Sequence, residues 1–161
     1  MNRLVVAAVA LLLSACGQSG DAPGEPAVPA RPAPTAAEKA ALLASLPAPY
    51  NTADLDNGRR VFARCRACHT LNEGGPNTTG PNLYGVFGRQ AGSHPGYNYS
   101  NVVREADFTW NAERLDHWLE NPREFLRGNK MSFPGLPNAE DRRDVIAFLK
   151  VETGYAPPAA P

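Results

Sequence analysis

The sequence is short of the residues from which most metal and redox sites are built. It holds three cysteines, three histidines and two methionines in 161 residues, so any such site must be assembled from very few side chains. A zinc site of the usual kind needs four ligands. After the Cys65–Cys68 pair, no second cysteine pair and no His-x-x-x-His follows. Charge of either sign is not in excess, because 16 Lys and Arg balance 16 Asp and Glu. Net charge therefore points neither to nucleic acid nor to an acidic membrane surface. A long apolar run is missing too. The stretch Leu4 to Leu13 falls far short of the about 20 residues that a spanning helix needs. Aromatic residues are absent before Tyr50, and no internal repeat is visible. A chain of this length accommodates one domain with a real core and not two of ordinary size.

What is present divides the chain. Arg3 and the apolar run lead into Leu13-Ser14-Ala15-Cys16, the order of an export signal closing on small residues. Ending this way, the segment resembles the lipobox of bacterial lipoproteins, in which the cysteine is lipidated and becomes the first mature residue. The expectation is a lipoprotein signal over 1–15, with Cys16 as the lipidation site. From 16 to 50 runs an Ala/Pro-rich linker of extended character, with a reach on the order of 90 Å if fully drawn out. Within it, Thr35 and Glu38 form a capping-box pattern ahead of Lys39 to Leu46, and Pro47 and Pro49 stop the helix. Leu42, Leu43 and Leu46 give this short helix one apolar face; it is read as spacer rather than as a docked element. The domain is expected over 51–153, with a disordered tail at 154–161.

Cys65-Arg66-Ala67-Cys68-His69 is the strongest signal. In Cys-x-x-Cys-His two thiols add across the haem vinyl groups, and the adjacent imidazole falls under the iron as an axial ligand. A helical turn places both sulfurs on one side. A thioredoxin-like pair would need a preceding strand and a βαβ setting, whereas this stretch is helical in pattern. A structural disulfide fits an exported protein but gives His69 nothing to do. One covalent haem c is therefore expected, with Cys65, Cys68 and His69 holding it.

The iron needs a second axial ligand or an open site. Met1 goes with the leader, which leaves Met131, with His94 and His117 as alternatives. A lone methionine is more often core filler. Met131, however, lies in Gly128-Asn129-Lys130-Met131-Ser132-Phe133-Pro134-Gly135, a Gly/Pro loop between helical stretches where a thioether can swing onto the iron. His/Met ligation favours the reduced iron, and filling both axial positions hinders oxygen or peroxide binding.

Beyond these residues the sequence resembles the class I cytochromes c, from about Asp56 to Lys150. The resemblance rests on Gly58-x-x-Val61-Phe62, Cys65 to Thr70, Gly80-Pro81-Asn82-Leu83-Tyr84-Gly85, Gly88-Arg89 and Gly96-Tyr97-x-Tyr99-Ser100. It continues through Thr109-Trp110, Leu119-x-Asn121-Pro122 and Lys130-Met131-x-Phe133 to Arg143-Asp144-x-Ile146-Ala147-Phe148-Leu149-Lys150. It implies an all-α cytochrome c fold, a small helical wrap around haem. Its first helix, about 53–65, crosses its last, about 139–151, with Gly58 at the close approach. A middle helix is expected over about 111–120. The resemblance further implies that the Pro81 carbonyl accepts from His69, and that Arg89, Tyr99 and Trp110 satisfy a buried haem propionate. Trp118 stands where the family commonly has tyrosine, Asn129 where threonine is common, and Val103 where a polar residue is common. The basic collar around the haem edge is thin.

The function expected is not enzymatic. It is single-electron transfer between a respiratory complex donor and a terminal oxidase or reductase acceptor, from the periplasmic side of a bacterial membrane, inner rather than outer, through a lipid anchor. Two rivals remain at this level: a dedicated subunit of one redox complex, and a haem enzyme or gas sensor with an open iron.

Overall fold

A computed structural model describes residues 34–156; Cys16, the signal, most of the linker and the last tail residues lie outside that range. Every α-helix but one, the four-residue Asn101–Arg104, starts where the local sequence supplies a side-chain cap. Helix α1, Ala36–Ser45, opens on Thr35, whose hydroxyl accepts from the Glu38 amide while the Glu38 carboxylate accepts from the Thr35 amide. Helix α2, Leu55–Phe62, is capped by Asp54. A four-residue α3, Asn101–Arg104, follows a long haem-side loop. Helix α4, Ala112–Glu120, is capped by Asn111. Asn121 then closes α4 and caps the single-turn α5, Pro122–Phe125, whose Pro122 sits at the first helical position where its missing N–H is not needed. Helix α6, Ala139–Glu152, opens on Asn138, which accepts from the Glu140 and Asp141 amides. Among the described residues the only β pairing is an isolated bridge, Gln90 to Thr109, so the all-α fold class is observed.

The core sits at the α2–α6 crossing. Val61 and Phe62 from α2 meet Val145, Ile146, Phe148 and Leu149 from α6, with Leu115 and Leu119 of α4 closing the third side. Gly58 permits the approach: a Cβ there would lie 2.3 Å from the Asp144 carbonyl oxygen and 2.7 Å from the Phe148 Cβ. The buried Asp144 carboxylate ties the two helices together, accepting from the Asp54 amide at 3.1 Å, from Asn57 Nδ2 at 3.0 Å and from the Arg143 guanidinium at 2.8 Å. Buried Arg142 works at the other end of the core. It donates to the Leu136 and Pro137 carbonyls and to Asp116 of α4, which keeps its charge paired.

Three expectations need correction. The first helix ends at Phe62, not near 65. Beyond it the chain tightens into turns, with Cys65 N–H donating to Phe62 C=O at 2.8 Å and Cys68 N–H to Cys65 C=O at 3.0 Å. The short α1 is not a spacer. Leu46, only 3% exposed, and Leu43 pack with Ala53 and Ala147, and Lys39 pairs with Glu152 of α6. Composition hid this, because the partner face of α6 lies a hundred residues away in the chain. The tail also begins later than 154: Tyr155 packs edge-on against Phe87 and lies 3.7 Å from the Lys150 ammonium.

Candidate haem-binding site

The turns after α2 bring Cys65, Cys68 and His69 to the wall of one cavity, and the loop after α5 brings Met131 to the same cavity. Apolar side chains from three helices supply the rest, chiefly Phe62, Leu115, Leu119, Val145 and Leu149, with Leu83 and Val86 from the loop. The alternative ligands are elsewhere. His94 and His117 are not among the cavity's lining residues; His94 contacts Arg89, and His117 is exposed on α4.

The two thiols are free, with no disulfide between them. Burial pushes the Cys65 thiol up to about 11, so it stays protonated near neutrality. That is the opposite of the electropositive environment that activates a redox cysteine. His69 is oriented from behind. Its Nδ1 lies 2.7 Å from the Pro81 carbonyl, and a carbonyl can only accept, so Nδ1 carries the proton and Nε2 keeps its lone pair. Burial moves the imidazole below its ordinary value, opposed by the Pro81 contact, which favours the neutral form that a metal requires. Gly80 leaves room for the ring: a Cβ there would sit 2.4 Å from His69 Cε1.

The polar side of the cavity carries hydrogen-bonding groups. Arg89 is half-buried and lines the wall. Its Nη1 donates to the Tyr84 carbonyl at 3.0 Å and its Nη2 to the Asn82 carbonyl at 3.1 Å, and burial lowers its pKa. Tyr99 and Trp110 line the same cavity. Ser100 also lines it, and among the described residues its Oγ is the one buried side-chain oxygen or nitrogen without a hydrogen-bond partner. A guanidinium, a phenol and an orphaned hydroxyl around an apolar cavity suit a large flat apolar group that carries carboxylates. Two thiols, one imidazole lone pair and one thioether suit its attachment and its iron. Zinc is a poorer match, since no group of three or more His, Cys, Asp or Glu among the described residues could hold a metal ion.

The cytochrome c family model matches residues 55–151. The chain belongs to the cytochrome c family. Its cofactor is one covalently attached haem c, and it is an electron carrier rather than an enzyme, with redox proteins as partners. It is similar to cytochrome c of Kluyveromyces lactis, 39% identical over 105 residues, which cover 65% of this chain and 96% of that protein. It is also similar to cytochrome c2 of Rhodomicrobium vannielii, 43% identical over 115 residues, 71% of this chain and 91% of that one. Among solved structures, cytochrome cH from Methylobacterium extorquens superposes with a TM-score of 0.56 at 38% identity, covering 60% of this chain and 97% of its own.

Within this cytochrome c family member, three site residues escaped the sequence reading. Asn82 is 2% exposed and knits the haem-side loop, with Nδ2 donating to Thr70 Oγ1 and the Asn72 carbonyl and Oδ1 accepting from the Tyr84 amide. Gly80 and Ser100 are the others. Asn82 and Gly80 were visible in the motif Gly80-Pro81-Asn82, but only the distances reveal what each supports. Ser100 was likewise visible in the motif Gly96-Tyr97-x-Tyr99-Ser100, but its unpartnered hydroxyl is seen only in the structure. Trp118, the departure from the family's tyrosine, lines the cavity and meets Trp110 edge-on at 5.6 Å.

Proposed function

We propose that this protein is a membrane-tethered carrier that passes single electrons between respiratory partners through a haem ligated by His69 and Met131. The observation that carries the reading is the lining of one apolar cavity by Cys65, Cys68, His69 and Met131, with the other two histidines left out of it. The bound haem supplies a reversible one-electron change at its iron. The protein's own residues do the rest. Cys65 and Cys68 hold the group covalently, Pro81 fixes the His69 ring, and the apolar wall excludes water from the metal's surroundings. Arg89, Tyr99, Ser100 and Trp110 offer donors or a wall to a buried propionate, which lowers the cost of keeping that carboxylate out of water. His/Met ligation leaves no open position, which suits outer-sphere transfer.

The tether rests on sequence alone. A lipoprotein signal over 1–15 and lipidation at Cys16 anchor the chain on the periplasmic side of a bacterial membrane, the inner one on respiratory grounds. Two or more acyl chains, at about 0.8 kcal/mol per buried methylene, hold it stably. Tethering raises the effective concentration at a partner and compensates for the thin basic collar and balanced charge, since long-range steering matters less for a carrier that does not diffuse away. Docking of α1 shortens the stretch left to act as a linker, which then ends before Ala36 instead of near residue 50.

Two experiments test the reading. The ferric protein is expected to show the weak far-red charge-transfer band of methionine ligation, lost in Met131→Ala, and the ferrous protein to bind carbon monoxide poorly until that change is made. A wild-type protein without the band sinks the ligand assignment. Cys16→Ser is expected to release the domain into the soluble periplasm; retention on membranes refutes the lipid tether.

A further inference from the structure

We infer that Asn129 is a positioning residue that holds Met131 in place, acting as a clamp between α5 and the ligand loop; this rests on the ligation by Met131 proposed above. The Asn129 side chain makes three hydrogen bonds. Its Nδ2 donates to the Pro122 carbonyl at 2.7 Å and to the Leu126 carbonyl at 2.8 Å, and its Oδ1 accepts from the Met131 amide at 2.9 Å. The chemistry fixes the orientation of the amide, because the reverse flip would set its oxygen against two carbonyls and its NH2 against an N–H. Both carbonyls belong to the turn that ends α5 and already accept one backbone bond each, from the Leu126 amide at 3.2 Å and the Asn129 amide at 3.1 Å, so the side chain uses the second lone pair of each oxygen. One side chain therefore ties a buried-proline turn to the backbone of the residue two positions on.

The rest of the loop explains why the clamp matters. Gly128, immediately before it, has φ +90°, so the chain turns sharply just ahead of the ligand. Lys130 and Ser132 are exposed, and Met131 itself is only partly buried. On the other side Lys130 reaches the Asn98 carbonyl and lies over the Tyr97 ring at 4.9 Å, an exposed contact that adds little order on its own. Further on, Phe133 sits under the Arg64 guanidinium at 5.2 Å. Asn129 is the one member of this loop whose side chain bridges the ligand's own amide to a helix. The threonine that the family commonly carries here has one hydroxyl and cannot donate twice while accepting from the Met131 amide.

The test uses the haem-loaded full-length protein and measures how easily an external ligand, imidazole, replaces Met131 in the ferric state. Asn129→Ala is expected to bind imidazole about tenfold more tightly than wild type, the order that losing these bonds supports. Asn129→Asp keeps the acceptor for the Met131 amide but loses the two donations, so it should fall between them. Global stability is followed in parallel by denaturant unfolding. A role confined to folding lowers stability and leaves imidazole affinity unchanged in partially stabilising buffer, and that outcome overturns the proposal. Met131→Ala separates the underlying assignment. If wild type shows no methionine band, or keeps it after Met131→Ala, the ligation fails. If the band behaves as expected and Asn129→Ala binds imidazole like wild type, only the clamp fails.

Discussion

Gly58→Ala puts the helix crossing to a quantitative test. Alanine is the better helix former, and at an exposed helical site the change would add about 1 kcal/mol of stability. Here the new Cβ would lie 2.3 Å from the Asp144 carbonyl oxygen, 2.8 Å from its carbon and 2.7 Å from the Phe148 Cβ. All three belong to α6, and two are backbone, so no rotamer change relieves them. Restoring ordinary contact means parting α2 and α6 by on the order of 1 Å. That opens the packing of Phe62 on Phe148, now 5.6 Å between centroids, and strains the Asp144 links to Asp54 and Asn57. Overpacking of this kind costs about 3 kcal/mol, leaving a net loss of about 2 kcal/mol after the propensity gain. For a domain of this size the melting temperature should fall by roughly 10 °C. Guanidinium unfolding of the haem-loaded protein, followed by far-ultraviolet circular dichroism, should show a lower midpoint with an unchanged slope. A variant as stable as wild type, or more so, would falsify the view that this glycine is there for close approach.

Leu46→Ala tests the docking of α1: truncating a side chain that is 3% exposed should cost about 2 to 3 kcal/mol, whereas a loss under half a kcal/mol would return α1 to the status of spacer. Gly80→Ala should push the His69 ring out of line through the 2.4 Å contact, giving a protein that still attaches haem through its cysteines but shows a weakened proximal bond and carbon monoxide binding in the ferrous state. An unchanged spectrum there would mean that the loop yields instead. Lys150, only 4% exposed among Tyr50, Phe87 and Tyr155, is lowered by burial to about 8. Its unfolded form stays protonated to higher pH and so binds more protons, which means stability contributed by this group rises as pH climbs from about 8 towards 10.5. The stability difference between wild type and Lys150→Met should move in favour of wild type over that window, and a pH-independent difference would refute the assignment.

Much of the site was legible early because its chemistry is local. Cys-x-x-Cys-His needs only one turn of backbone to set two sulfurs and an imidazole on one side, and the structure makes that turn at Cys65–His69. The start of α1 was equally readable: Thr35 caps it, since a cap satisfies donors within three residues. Met131 stood out by scarcity, and the histidines that competed with it could be set aside only once their places were known. The resemblance to class I cytochromes c covered nearly the whole domain, and the family match over 55–151 agrees with it.

Contacts between distant segments were another matter. The apolar face of α1 reads the same whether it faces water or Ala147, and only the packing of α6 decides which. Asn129 is one more polar loop residue until the carbonyls of Pro122 and Leu126 and the amide of Met131 are found around it. Ser100 becomes informative only because no described residue bonds its hydroxyl. The sequence alone was enough for the covalent haem attachment and the helical class, because each depends on residues within a turn or two of one another. Tertiary structure decided which side chains share the cavity, what holds the methionine loop and where the N-terminal helix rests, because those depend on distances between segments that no local pattern encodes.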